Sequence, residues 1–414
     1  MTWLRTAFKT VAAVSLLAVL WLLKQRWNFR LGTLNAKGRL SIMVSYIEPC
    51  LRLLRLRRET PLVIVINPGA DPNPALSRMY GREVCLLDDR RPVRRWFASQ
   101  AYRALRWYQG WAGYLTSLDA NLSMGLADHF GYPWREGKPT LRFTNEEMFE
   151  GAALLKRLGV VSAPYVCFGV REAEYYRQFQ AVESLKRHPN SEAQDDTFIR
   201  NPPISNYLLM AQTLAHRGYY VLRMGSVPGE PLPAGLHPRI VDYATHHRTP
   251  LGDLFLLAHC RFAVSGGAGF WWVATAFNRP VVFTDHYAPR VRPPRPGDLF
   301  IQQLVVRQGQ PLTFAQMLDA GTAYAYRRKC DQDDAVLRHN TPEEIRDVAL
   351  EMDDRLAGRW TPSVEDEQLL RRWKDLYASA TLRHMAWGSA DHQTYGMPGQ
   401  LGAAFLRTHR GLLG

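Results

Sequence analysis

Five small residues in a row, Ser265-Gly266-Gly267-Ala268-Gly269, stand between an apolar strand-like run, Phe262 to Val264, and an apolar helical run that continues through Phe277. A strand that ends in small residues and turns into a helix leaves backbone N–H groups pointing outward, and phosphate sits well there. Glycines also serve tight packing of helix on strand, so the loop alone supports either use. Other residues of chemical interest lie around it: Arg171 and Glu172 after Tyr165 to Val170, Arg223 closing Tyr219 to Leu222, and the pair Asp242-Tyr243. Asp242 could accept from a nucleobase N–H while Tyr243 stacks on the ring; equally, the pair could be a helix cap and a core tyrosine.

The elements that must position these residues alternate. Tyr207, Leu208, Ala211, Leu214 and Ala215 recur at helical spacing and precede a short buried strand, Tyr219 to Met224, with Gly218 at the turn. A helix over Leu254 to Ala258, the strand Phe262 to Val264, the small-residue loop and a strand Val281 to Phe283 repeat the pattern. Alternation of this kind predicts a parallel sheet covered by helices, with ligands bound at the carboxyl ends of the strands. Earlier in the chain, Leu62 to Ile66 and Val84 to Leu87 read as buried strands and Trp96 to Leu115 as a helix. Thr144 with Glu147, and Thr341-Pro342-Glu343-Glu344, have the form of capping boxes that open helices, and Glu365 to Ala378 reads as another long helix.

Several stretches, in order, carry a resemblance. Val166 to Glu172, Arg200 to Tyr207, Gly218 to Gly225, Asp242-Tyr243-Ala244, Asp253-Leu254, Cys260-Arg261-Phe262, Ser265 to Gly269 and Pro280 resemble a family of bacterial glycosyltransferases of GT-B type. That family is distantly similar to fucosyltransferases and heptosyltransferases, and the likeness covers roughly Leu141 to Pro289. It implies an α/β fold of two Rossmann-like domains and transfer of a sugar from a nucleotide-diphosphate sugar to a surface polysaccharide or lipid-linked glycan acceptor. It also implies no cofactor beyond the donor substrate and no metal, the leaving diphosphate being neutralised by side chains and helix N-termini. Arg171 occupies the place of an arginine that holds the donor diphosphate, and Ser265, Gly266, Gly267, Ala268 and Gly269 that of the turn that cradles it. Arg223 is placed similarly on the next strand. The sequence departs at Glu172, where the family has Asp, and at Gly266-Gly267, where relatives have Ser or Thr. Glu172 leads the candidates for a general base because it adjoins Arg171, ahead of Glu174, Asp71 and Asp119. The competing classes are a phosphorylase or epimerase on the same scaffold, and a non-catalytic glycan-binding or scaffolding subunit of a polysaccharide assembly complex.

Metal chemistry has little support in the spacing. His246 and His247 are adjacent, His259 stands apart, and no carboxylate or cysteine completes a ligand set. Asp331-Gln332-Asp333 has the D-x-D form but follows Cys330 away from any strand end, and reads as a loop or helix start. Asp253 precedes an apolar helix and reads as its N-cap. The cysteines, Cys50, Cys85, Cys167, Cys260 and Cys330, are odd in number and scattered, as free thiols in a reducing compartment are.

Lys and Arg number 52 against 38 Asp and Glu, a formal charge of +14. Between Lys24 and Arg58, nine basic residues face one acid, Glu48, and a second basic run extends from Arg90 to Arg106 among aromatic residues. The charge suits an anionic membrane surface or an acidic glycan, or is simply a solvated surface whose aromatics, at helical spacing from Phe97 to Leu115, pack in the core; nucleic acid is the least favoured partner, since no recognition motif for it accompanies the charge. Thr10 to Leu23 is an uncharged apolar run of 14 residues, short of the roughly 20 that span a bilayer, and no small-residue cleavage site follows it. It reads as an uncleaved anchor whose flanking charges place the rest of the chain on the cytoplasmic face of the inner membrane. The expected organisation is an anchor and basic collar over 1–60, an acceptor-side α/β domain over 61–160, a nucleotide-sugar-binding α/β domain over 161–350, and helices with a mobile tail over 351–414.

Overall fold

The computed structural model describes residues 28–33, 39–67, 71–87, 131–161, 163–172, 174, 201–226, 229–286, 293–319, 335–386 and 399–414. The Thr10–Leu23 run, the Arg90–Arg106 basic run with the Trp96–Leu115 helix, Asp119, and Asp331 with Asp333 lie outside the described residues. Among the described residues no helix is long and apolar enough to cross a membrane. Contacts divide the chain into two units, Met1–Asn145 and Glu146–Gly414.

The first unit holds a parallel sheet of β1 (Phe29–Thr33), β2 (Leu62–Ile66) and β3 (Cys85–Leu87), in that order. The helix Leu40–Leu56 connects β1 to β2. Much of the basic collar is therefore built into a strand and a helix of this unit. Arg52 is fully buried: its Nε donates to Glu48 Oε1 at 2.8 Å, one terminal nitrogen donates to the Gly137 carbonyl at 3.1 Å, and the guanidinium lies 4.7 Å from the centre of the Trp134 ring. Glu48 also accepts from the Thr140 N–H at 2.9 Å and from the Thr140 hydroxyl at 2.5 Å. A buried ion pair stays folded only when its remaining hydrogen-bonding capacity is met in this way. Arg30 pairs with Glu59 and Arg55 with Glu83, so part of the basic excess is spent inside the unit.

The second unit is built on seven parallel strands in the order β13-β9-β8-β7-β4-β5-β6. These are β4 (Tyr165–Val170), β5 (Tyr220–Arg223), β6 (Ile240–Val241), β7 (Ala263–Gly266), β8 (Val281–His286), β9 (Leu299–Gln302) and β13 (Gln400–Leu401). Every residue of β4 is buried, as a central strand covered on both faces requires. The helix Asn145–Arg157 packs on this unit. A Cβ at Gly151 would lie 2.1 Å from the Phe255 ring, so only glycine lets this helix approach the Pro250–His259 helix so closely. The division between units falls at 145/146 for that reason, ahead of the 160/161 boundary expected from the sequence.

A smaller antiparallel sheet, β11-β10-β12, joins β10 (Leu304–Arg307), β11 (Gln310–Pro311) and β12 (Ala335–Arg338). The Pro342–Leu356 helix opens on the expected capping box, Thr341 Oγ1 accepting from the Glu344 N–H at 3.2 Å and Glu344 accepting from the Thr341 N–H at 3.0 Å. The last residues correct the expectation of a mobile tail. β13 extends the main sheet beside β9, and the Ala403–Thr408 helix that follows buries Ala403, Phe405 and Leu406. The Ala403 N–H donates to Glu351 at 2.8 Å, which ties this end to the Pro342–Leu356 helix.

Candidate functional site

Read outward from β4, the strands run β4-β5-β6 to one side and β4-β7-β8-β9 to the other, so the order reverses between β4 and β7. Loops leaving the carboxyl ends of two such strands diverge to opposite faces and open a crevice, the place where open α/β sheets bind ligands. The chain puts Arg171-Glu172 on one side of this crevice and the small-residue turn on the other. The Arg171 N–H donates to the Gly266 carbonyl at 2.9 Å, which fixes the two against each other.

The turn is narrower than the sequence suggests. Ser265 and Gly266 belong to β7 and are buried; the Ser265 hydroxyl donates to the Ala268 carbonyl at 2.9 Å and so closes the turn from inside. Gly266 is a packing glycine, because a Cβ there would lie 2.0 Å from the Tyr207 hydroxyl oxygen. Gly267 has φ +69°, the left-handed conformation that glycine adopts without strain. The N–H groups of Gly267, Ala268 and Gly269 have no hydrogen-bond partner among the described residues. These three, with the 7% exposed Arg171, are what the crevice offers an anion. The helix beyond is short, Trp271–Ala276, so backbone N–H groups rather than an extended helix dipole give this place its polarity. Two residues that sequence reasoning passed over stand beside it: Trp271 and Trp272, half-buried, with rings stacked at 4.0 Å.

The remaining candidates take structural roles. Arg223 is 1% exposed, and its guanidinium donates to Glu172 Oε1 at 2.7 Å, to Asp242 Oδ2 at 3.1 Å and to the Glu230 carbonyl at 2.6 Å. Glu172 also accepts from the Gly229 N–H. Both carboxylate oxygens of Glu172 are thus engaged, one by the Arg223 guanidinium and the other by the Gly229 N–H, which makes it a structural link between β4 and the loop after β5 in this geometry. Asp242 caps the short Tyr243–His246 helix, accepting from the Thr245 N–H at 3.2 Å and hydroxyl at 2.8 Å, and from the Leu232 N–H at 2.9 Å. Tyr243 is fully buried, its hydroxyl donating to Asp253 at 3.1 Å, so it cannot stack on a base. The cap-and-core alternative is the one the fold adopts.

Asp253 is not an N-cap. Thr249 caps the Pro250–His259 helix through the Gly252 N–H, and Asp253, inside the first turn, pairs with Arg248 at 2.7 Å; burial pushes its carboxyl up to about 6. Asp71 accepts from Ser77 at 2.7 Å and the Asn73 N–H at 3.1 Å in the first unit, where it shapes the start of the Pro74–Tyr80 helix. His246 and His247 are exposed, while His259 Nδ1 lies 2.8 Å from the Phe255 carbonyl. Among the described residues no three His, Cys, Asp or Glu side chains group as a metal site.

A second polar cluster lies at the carboxyl end of β8, next to the turn. The Tyr207 hydroxyl donates to Asp285 Oδ2 at 2.7 Å and lies 2.6 Å from Thr284 Oγ1. Asp285 Oδ1 accepts from the Asn340 N–H at 2.8 Å and lies 2.9 Å from His339 Nδ1. Sequence reasoning counted Tyr207 only as an apolar helix position. The available signal was the polar run Thr284-Asp285-His286 directly after the apolar run Val281 to Phe283, much as Arg171 follows Tyr165 to Val170.

No protein-family profile matches the chain, and no curated protein does. Solved structures do. The chain is similar to ADP-heptose lipopolysaccharide heptosyltransferase II of E. coli, at 17% identity over 62% of this chain and 84% of that one, with a TM-score of 0.38. It is similar to a family 9 glycosyl transferase of Veillonella parvula at 10% identity, 62% and 80% coverage and a TM-score of 0.35. The E. coli heptosyltransferase WaaC, solved with ADP, matches at 12% identity, 74% and 98% coverage and a TM-score of 0.32. These three solved proteins are glycosyltransferases.

Proposed function

We infer that the chain is a metal-independent glycosyltransferase whose second unit binds a nucleotide-diphosphate sugar at the crevice between β4 and β7. One observation carries this: three N–H groups without a partner among the described residues, on Gly267, Ala268 and Gly269, stand at the topological switch point beside the loop that begins with Arg171. A diphosphate needs several hydrogen-bond donors and a positive charge in one place, and this turn with an arginine supplies both. Departure of a nucleoside diphosphate leaves negative charge on the phosphate oxygens, which the same donors stabilise as it develops. Trp271 and Trp272 offer apolar ring surface beside the turn for the sugar or base. The acceptor we assign is a surface polysaccharide or lipid-linked glycan, met at the cytoplasmic face of the inner membrane; the apolar run Thr10–Leu23 and the basic residues after it support that placement.

The experiment is thermal stabilisation of the purified chain by ADP, UDP, GDP and CMP, and by sugar nucleotides of whichever binds, with and without a chelator. A shift in melting temperature that persists with chelator is the expected result. Stabilisation that disappears on chelation refutes the metal-free assignment, and no stabilisation by any nucleotide refutes the donor site. The engagement of Glu172 by Arg223 and Gly229 favours testing a second reading alongside, a glycan-binding subunit without turnover. Release of nucleoside diphosphate from a bound sugar nucleotide in the presence of glycan separates the two.

A further inference from the structure

Building on the donor site inferred above, we propose that Tyr207, clamped by Asp285 and Thr284, is a positioning residue for the glycine turn: it fixes where the Gly267, Ala268 and Gly269 N–H groups stand. Tyr207 ends the 3-10 turn Ile204–Tyr207 and is fully buried. Its hydroxyl lies directly over Gly266, the last residue of β7 and the foot of the turn, where a Cβ would come within 2.0 Å of the oxygen and 2.7 Å of Cζ. Thr284, which lies 2.6 Å from the same hydroxyl, is the register partner of Gly266 on β8. The phenol thus bridges β7 and β8 at the last pair of their ladder.

The clamp is anchored from behind. Asp285 is fully buried and has φ +52°, an unusual conformation for a non-glycine residue that persists only where surrounding contacts enforce it. Here the contacts are explicit: the Asn340 N–H donates to Oδ1, the Asp285 N–H donates back to Asn340 Oδ1 at 2.6 Å, and His339 Nδ1 lies 2.9 Å away. Asn340 in turn precedes the Pro342–Leu356 helix and donates to the Gln302 carbonyl at 3.0 Å. Burial, and after it the Asp285 carboxylate, push the Tyr207 phenol well above its ordinary range, so the hydroxyl is the donor in this pair. Core filling alone would need only an aromatic ring. A fully buried carboxylate held by the Tyr207 hydroxyl and the Asn340 N–H is a costly way to fill space, and it makes sense where a hydroxyl must be held at one point.

Tyr207→Phe tests this, since it removes one oxygen and keeps the ring; Thr284→Val removes the second contact and serves if the first variant does not fold. Two measurements are made on each, amide hydrogen exchange and titration with ADP, UDP and GDP. The expected result is faster exchange at Gly267 to Gly269 with β4 and β7 still protected. Affinity for whichever nucleotide the parent binds should fall about tenfold, the scale of one lost charge-assisted hydrogen bond. Parent-like exchange at the turn together with parent-like affinity overturns the proposal. If the parent binds none of the three nucleotides, the donor reading fails on its own, and the exchange measurement alone decides whether Tyr207 holds the turn.

Discussion

Replacing Arg223 with methionine separates a structural cation from a ligand-binding one. Arg171 and Arg223 each close or follow a central parallel strand, and by position alone either could meet a phosphate. Arg223, however, spends its guanidinium on Glu172 and Asp242 while 1% exposed. Methionine replaces most of the aliphatic stem and removes the charge, leaving two carboxylates without their shared cation. Removing one side of a buried ion pair costs about 3–5 kcal/mol. Glu172 keeps 18% of its side-chain surface exposed and can recover water, which sets the expectation near 3 kcal/mol, the lower end of that range. For a domain of this size each kcal/mol lowers Tm by about 2–4 °C, so Arg223→Met should melt roughly 6–12 °C below the parent. The Gly229 and Leu232 N–H groups donate to the same carboxylates, so proteolysis in that loop should also accelerate. Calorimetric melting of the full chain, with nucleotide affinity measured well below the transition, is the assay. A variant that melts with the parent yet no longer binds nucleotide refutes the reasoning and makes Arg223 a ligand contact.

Arg171→Ala should do the reverse, weakening nucleoside-diphosphate binding by about tenfold or more, with Arg171→Lys recovering only part because it keeps the charge and loses the fork; calorimetric titration measures both. Asp298 is fully buried, accepts from the Val281 N–H at 2.9 Å, and burial pushes its carboxyl up to about 7. The folded chain therefore keeps a proton that the unfolded chain releases near pH 4, and this group's contribution to stability is lost as pH rises from about 4 through about 7. Asp298→Asn, which cannot titrate, should flatten that part of the profile by on the order of a few kcal/mol in urea unfolding. Deleting 399–414 removes the buried side chains of Leu401, Phe405, Leu406 and Leu413, each contributing about 1.5–3 kcal/mol, so the truncated chain should melt far below the parent or fail to fold; a parent-like melt would show that β13 is dispensable.

Where a segment's fate depended on its own residues, the sequence was informative. The apolar runs Leu62–Ile66 and Tyr165–Val170 are the strands β2 and β4 to the residue, since continuous apolar runs bounded by turns have few places other than a covered parallel sheet. Helix and strand alternation also placed the Arg171 loop and the glycine turn at carboxyl ends correctly. β1, by contrast, reads Phe-Arg-Leu-Gly-Thr inside a basic stretch and is a strand only because β2 lies beside it. β13 is two residues long and has no periodicity to detect.

The site shows the same boundary between local and long-range information. Arg171 and Arg223 look equivalent along the chain, and what distinguishes them is Glu172 and Asp242, which lie 51 and 19 residues from Arg223 and converge on it only once β4, β5 and β6 are side by side. Tyr207 fits an apolar helical stripe, and its ring obeys that pattern; its hydroxyl acquires a role only where the fold brings Asp285, 78 residues away, within 2.7 Å. Arg52 belongs by count to a basic run, yet Glu48 four residues earlier and Trp134 far along the chain take it into the core. In each case the residue type announces the chemistry available and the partners decide whether that chemistry is turned inward. The N–H groups of Gly267, Ala268 and Gly269 are the converse: among the described residues they have no partner after folding, which is why the proposed ligand is set against them and not against Arg223, which the fold has already paired.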